Sequence, residues 1–395
     1  MGLREIFGRK LRLGVVGGGP DSWIGQMHRG AAEMSGFFQL TAGVFSGDAE
    51  RSRRAGIALG FDPQRCHGTF AEMLAAEARR DDGIDAVAIM TPNDLHHPQA
   101  AAALDAGLDV VCDKPVTHSF AQACDLVERS RHRGRLLAIA HGYSAYPMIR
   151  HARQLVADGA IGEVRMVQVE YIQSGPAAAV EEGPLNDRLR WVLDAERSGQ
   201  ILVMSAIGCH AQHLACFTAG LRVDRLVADV GALMPGRQVA DHVSALLAFE
   251  GGARGTFTVT QAAAGGENDI RLRICGSRGL LDWSHRDASY LKLALQGEPV
   301  RTIGRGDPFL PPEILALGRT PRGHPEGLRE AFANIYAELA QHRMAIELGQ
   351  PAPPLNYPRI EEGAETMAFI EACLASQASG GWVQLAKLPT AATAR

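Results

Sequence analysis

The chain has 395 residues, 46% of them apolar and 21% charged, with 44 glycines and a formal net charge of -4. That length exceeds one ordinary hydrophobic core and suits two domains of a globular protein. The slightly acidic balance offers no broad positive field for nucleic acid or an anionic membrane surface, and no apolar run nears the roughly 20 residues of a spanning helix. Residues 1–10 carry no pattern expected of a signal peptide or lipid anchor. The seven cysteines, Cys66, Cys112, Cys124, Cys209, Cys216, Cys275 and Cys373, are scattered and contain no Cys-x-x-Cys pair, so a reduced, cytoplasmic location is expected.

In chain order, β-rich apolar runs at 11–17, 39–45, 84–90, 108–112 and 136–140 alternate with segments of helical spacing at 24–34, 49–59, 70–79, 98–106 and 120–131. Strands separated by helix-length crossovers build parallel sheets through right-handed βαβ units. Residues 1–142 are therefore expected to be a doubly wound α/β domain. After a helical stretch at 146–158 come longer alternating segments at 164–172, 243–249, 255–261, 270–275 and 291–295, several joined by glycine turns such as Glu250-Gly251-Gly252. Residues 143–395 read as an α+β domain with a large open, mostly antiparallel sheet. Helical segments at 325–348 and 359–376 flank the proline-rich 351–354, no internal repeat is visible, and the tail after Pro389 is expected to fray.

The first strand runs into Gly17-Gly18-Gly19, and Gly25 lies near the start of the following helix. Glycine admits positive φ and lets backbone N–H groups approach a pyrophosphate at a helix N-terminus, which makes Gly17, Gly19 and Gly25 the candidate cofactor glycines. Residues 20–24 lengthen the loop beyond GxGxxG, and a tight structural turn is the competing reading. The second strand ends at Phe45-Ser46-Gly47-Asp48, with Arg51 and Arg53 just beyond. Serine with arginine would accept the 2′-phosphate of NADP, Asp48 would instead bond the ribose of NAD, and both arginines could equally be solvated helix surface. The balance favours NADP.

Two strand ends carry the sharpest signals, Thr91-Pro92-Asn93-Asp94-Leu95-His96 and Val111-Cys112-Asp113-Lys114-Pro115. With His141-Gly142-Tyr143, Ile207-Gly208-Cys209-His210, Glu267-Asn268 and Gly323-His324-Pro325-Glu326-Gly327, they resemble the Gfo/Idh/MocA oxidoreductase family, of glucose-fructose oxidoreductase and inositol dehydrogenase type. Asp113 stands where the family usually has Glu. The resemblance spans nearly the whole chain and implies a Rossmann domain plus an α+β domain, NAD(P) as cofactor, and hydride transfer at a carbinol or carbonyl carbon of a sugar, cyclitol or related polyol. It also implies a homodimer or homotetramer formed through the second-domain sheet. By motif match, Thr91, Pro92, Asn93, His96 and Asp113 would line the cofactor, Lys114 would sit between nicotinamide and substrate, and His210 would be the acid/base residue.

The chemistry suits those residue types. Oxidising a carbinol needs a base near working pH and a cation to steady the alkoxide. Lys114 follows a central strand, at the carboxyl edge where ligands bind in such sheets; the bland alternative is an exposed loop lysine. His210 lies in the small, apolar stretch 201–214, where an unpaired histidine is costly to bury; the alternative is a satisfied core histidine. His213 suggests a metal pair, but no third ligand has suitable spacing, and no metal is expected. The family's Asp-x-x-x-His is here Ala206-Ile207-Gly208-Cys209-His210, so nothing at 206 can orient the histidine. Ser205 or Asp194 would supply that contact, or the substrate lacks the matching hydroxyl. Trp191 would stack on a sugar face or be buried between domains, and Tyr143 and Tyr146 could reach the substrate through their hydroxyls. Lys114, Tyr143, Trp191, Asp194 and His210 are thus the substrate-binding candidates. Two further readings compete: an enzyme that retains its nicotinamide while eliminating or hydrolysing a bond of a transiently oxidised sugar, and a non-catalytic nucleotide sensor, against which the retention of Lys114 and His210 argues.

Overall fold

The computed structural model describes residues 2–175 and 201–389, and the chain divides into two units, one of 1–117, 121–142 and 328–363 and the other of 118–120, 143–327 and 364–395. In the first, β1 (Leu11–Gly17), β2 (Phe38–Val44), β3 (Ala86–Met90), β4 (Asp109–Cys112) and β5 (Leu137–Ile139) form a parallel sheet in the order β2-β1-β3-β4-β5. Leu13, Val15, Val87, Ile89 and Val110 are buried, the continuous apolar run of a parallel sheet covered on both faces. The crossovers are α2 (Trp23–Ser35), α3 (Ala49–Ala58), α4 (Phe70–Glu77), α5 (His96–Asp105) and α6 (Phe120–Arg133), while a short α1 (Leu3–Phe7) precedes β1. Strand order reverses between β1 and β3, and ligands of such sheets bind beyond the carboxyl ends of the strands at that reversal.

The second unit opens with α7 (Pro147–Ala157) and β6 (Val164–Ile172) and continues with α8 (Cys209–Ala219), β7 (Val223–Gly231), β8 (His242–Phe249), β9 (Arg254–Thr260) and β10 (Asp269–Gly276). Then come β11 (Gly279–Ser284), β12 (Tyr290–Leu295), β13 (Arg301–Gly304) and a short α9 (Pro312–Leu315), with β14 (Val383–Gln384) near the end. The sheet runs β13-β12-β11-β10-β6-β9-β8-β7-β14, antiparallel except for the parallel β6–β9 pair. Val167, Val169, Tyr171, Phe257 and Leu272 point to one face, where α8 packs, and Gln168, Glu170, Thr256 and Thr258 point to the other. The sequence reading missed β7, β11 and β13. Asp224, Arg225 and Asp229 interrupt the apolar alternation in β7, and β13 spans only Arg301–Gly304.

Two long helices follow, α10 (Leu328–Glu347) and α11 (Ile360–Ser379). The sequence reading assigned everything after residue 142 to the second domain, but 328–363 belongs to the first unit. The cause is α10, which lies on α2: Tyr336 meets the buried His28 through a 2.7 Å hydrogen bond, and Phe332 stands edge-on to the same imidazole at 5.4 Å. Among the described residues no helix is long and apolar enough to cross a membrane.

Candidate active site

The glycine loop is held by close backbone packing. Gly17 and Gly18 have φ of 84° and 63°, in the left-handed region that disfavours any Cβ. A Cβ on Gly17 would lie 2.6 Å from the Met90 carbonyl oxygen, and one on Gly25 only 2.3 Å from that of Gly18. Gly19 has no such constraint, its added Cβ meeting only the Phe45 carbonyl at 3.3 Å. The glycine pressed against Gly25 is therefore Gly18, which the candidate cofactor glycines Gly17, Gly19 and Gly25 left out. The Ser22 hydroxyl accepts from the Gly25 N–H at 3.1 Å and caps α2, and the buried Arg29 guanidinium donates to the Gly18 carbonyl. A side chain at Gly17, Gly18 or Gly25 would clash, so the turn presents backbone N–H groups and the positive end of a helix to an anion. These residues fit a dinucleotide pyrophosphate.

Beyond β2, the Phe45 N–H donates to Ser52 Oγ at 2.9 Å, and the half-buried Ser46 hydroxyl accepts from the Asp48 N–H at 3.2 Å. The Asp48 carboxylate caps α3 by accepting from the Arg51 N–H at 2.7 Å. Arg53 pairs with Glu72 at 3.2 Å, whereas the Arg51 side chain lies exposed on the first turn of α3.

The loops after β3 and β4 are stapled together by His96. Its Nδ1 lies 2.7 Å from the Pro115 carbonyl and its Nε2 2.9 Å from the Thr91 carbonyl, so this fully buried ring sits between two backbone carbonyls and, when neutral, donates to one of them. His96 thereby shapes the two motif loops expected to line the cofactor. Burial lowers its pKa, while Asp113 and the two carbonyls oppose that shift. Thr91 Oγ1 donates to Gln99 at 2.7 Å, Pro92 precedes a single 3-10 turn, and the buried Asn93 opens it. Asp113 Oδ1 accepts from the Lys114 N–H at 2.8 Å, and the Lys114–Pro115 peptide is cis. The Lys114 side chain is half-buried, and its charge assists burial in pushing the His141 pKa down to about 3.

In the second unit the residues gather around Tyr143. Met204–Gly208 forms a π turn directly ahead of α8, and the half-buried His210 is the second residue of that helix. Its ring stands perpendicular to Tyr143, centroids 5.1 Å apart. The Tyr143 hydroxyl accepts from the Asn268 amide at 2.7 Å and lies 2.7 Å from the Tyr171 hydroxyl, which donates to Asn268 Oδ1 at 2.5 Å. This closed triangle engages the Tyr143 hydroxyl, and burial raises both phenol pKa values, so neither ionises near neutrality. Tyr143 thus offers His210 its ring while its hydroxyl is engaged by Tyr171 and Asn268. His285 flanks the other side of Tyr143 at 5.0 Å. Its Nδ1 faces the Asn268 carbonyl at 3.0 Å and must carry the proton, leaving Nε2 to accept from the Tyr146 hydroxyl at 3.2 Å. Tyr171 and His285 escaped sequence reasoning; Tyr171 reads there as one more inward position of an alternating strand. Trp191 and Asp194 lie outside the described residues.

The chain matches an oxidoreductase family with an NAD-binding Rossmann fold over residues 11–141 and the GFO/IDH/MocA C-terminal domain over 149–282. YfiI, an uncharacterised oxidoreductase of Bacillus subtilis (strain 168), is 33% identical over 392 residues, covering 96% of this chain and 98% of that protein. The crystal structure of an inositol dehydrogenase homolog from Azotobacter vinelandii complexed with NAD+ is similar with a TM-score of 0.90 at 35% identity, covering 95% of this chain and 98% of that one. An inositol dehydrogenase homolog of the same organism complexed with NADH and myo-inositol has a TM-score of 0.87 at 34% identity, with the same coverage of 95% and 98%.

Proposed function

Because the chain belongs to the GFO/IDH/MocA family of oxidoreductases with an NAD-binding Rossmann fold, we propose that it transfers hydride between a nicotinamide nucleotide and a carbinol or carbonyl carbon of a cyclitol, sugar or related polyol. The observation that carries the substrate class is the likeness, over 95% of the chain, to a structure holding NADH and myo-inositol together. Bound at the glycine cradle, the nicotinamide nucleotide supplies the hydride acceptor or donor. Lys114 steadies the oxygen as it becomes an alkoxide, and His210 takes or returns the hydroxyl proton. Tyr143, locked by Tyr171 and Asn268, limits the imidazole to one orientation. Trp191 and Asp194 are assigned to the substrate side by the sequence resemblance alone. Ser46 and Arg51 are the pair that would receive a 2′-phosphate, which supports NADP, whereas the two solved neighbours hold NAD+ and NADH. The polar outer face of the second sheet, with Gln168, Glu170, Thr256 and Thr258, is the proposed subunit contact of a homodimer or homotetramer.

The test is to mix the protein with NAD+ or NADP+ and a panel of cyclitols, aldoses and their oxidised forms, following the absorbance of reduced nicotinamide. Lys114→Ala and His210→Ala should each lose about 100-fold or more in turnover while coenzyme affinity stays within a few-fold. Turnover that survives both substitutions would remove these roles. Product accumulating with no net change in coenzyme redox state would replace net dehydrogenation by retained-nicotinamide chemistry.

A further inference from the structure

Trp23 is 63% exposed, among the most exposed large apolar side chains of the described residues. It is the first residue of α2, directly after the capping Ser22 and close behind the glycine cradle. The helix does not need the ring for packing, because its inner face is built from Gly25, Met27, His28 and Ala31. On the outer face, the Gln26 amide reaches back to the Pro20 carbonyl at 3.4 Å, drawing the loop onto the flank that carries Trp23. Helical side chains lean toward the N-terminus and cover the turn preceding their own Cα. At the first helical residue no such turn exists, and the same lean would carry the indole over the helix end, toward the position where a pyrophosphate would meet the first-turn N–H groups. An indole held in water gives up a large gain from burial, and its flat apolar face with one polar N–H suits a ribose–phosphate surface.

We propose that Trp23 is a coenzyme-binding residue whose indole closes over the pyrophosphate and adjoining ribose, shielding the phosphates from water on the open side of the cradle. The proposal rests on the coenzyme reading of the glycine loop and is independent of the substrate. Binding is measured by calorimetry and intrinsic fluorescence with NAD+ and with ADP-ribose, which lacks the nicotinamide ring. ADP-ribose should shift tryptophan emission to the blue in the wild type, and this shift should vanish in Trp23→Phe. Trp23→Ala should weaken ADP-ribose binding about tenfold, and Trp23→Phe less, because it keeps a flat ring. The melting temperature of either variant should match the wild type, since an exposed ring contributes little to the fold. Unchanged ADP-ribose affinity in Trp23→Ala overturns the proposal, as does an emission shift that persists without Trp23. A changed sedimentation coefficient at unaltered affinity would assign the ring to subunit contact instead, and overturn it too. Wild-type protein that binds none of NAD+, NADP+ and ADP-ribose would defeat the coenzyme reading itself, a result distinct from failure at Trp23.

Discussion

His210 sits just where the helix changes type. A π turn closes i→i+5 hydrogen bonds, so across Met204–Gly208 the register slips by one residue relative to an α-helix. Ser205, five residues before His210, then comes round to the place where four-residue spacing would have put Ala206. We therefore propose that Ser205, half-buried within the turn, stands in for the family's aspartate. Ser205→Ala is expected to lower kcat about tenfold and to move the acidic limb of the kcat/KM profile, with Ser205→Thr restoring both. A pH profile identical to the wild type would reduce Ser205 to a helix residue. Ala206 is plain in the sequence, but the compensation is not, because helix type depends on what the turn packs against. Gly18 teaches the same lesson: three adjacent glycines announce a loop, while the one touching Gly25 is chosen by the path of the chain.

Among the elements, α10 depends on one buried ion pair. Arg343 Nε and Nη2 donate to the Asp109 carboxylate at 2.6 and 2.5 Å, with the two side chains 6% and 1% exposed. The pair ties the C-terminal half of α10 to the first residue of β4, 234 positions away in sequence. Removing one partner strands the other charge without water, so Arg343→Ala should cost about 3–5 kcal/mol, visible as a large fall in melting temperature. Arg343→Met combined with Asp109→Asn should recover much of it, since both charges leave together. A fall of less than about 1 kcal/mol for Arg343→Ala would mean that water reaches Asp109. Periodicity identifies α10 as a helix within a turn of its true start, yet assigns it to the wrong unit. A 3.6-residue repeat shows which face is buried and not which partner buries it.

For the whole molecule, buried histidines set the response to acid. Burial lowers the His28 pKa to about 4 and, helped by Lys114, that of His141 to about 3, against 6.5 for an unhindered imidazole. The unfolded chain therefore binds more protons than the folded one below about pH 6.5, and stability falls as pH drops from there toward 4. For His28 alone the loss reaches about 3 kcal/mol once both states are protonated. Melting temperatures should decline from pH 7 through pH 5, and His28→Gln should flatten the decline. An unchanged slope in that variant would exclude His28 as a source. Lowered pKa values at His67, His151 and His342, each chiefly from burial, act in the same direction.

Local patterns in the sequence alone determined the parallel first sheet, the open second sheet and the glycine loop, while the family resemblance singled out Lys114 and His210. Each depends on residues near one another in the chain: period-2 or period-3.6 burial, glycines at a strand end, or a short motif at the next one. Only the tertiary structure decided that 328–363 joins the first unit, that Gly18 is the glycine against Gly25, that His96 lies between the Thr91 and Pro115 carbonyls, and that Tyr143, Tyr171, Asn268 and His285 gather beside His210. Those facts follow from pairings across tens to hundreds of residues, where many partners would satisfy the same local pattern and only the packed chain selects one.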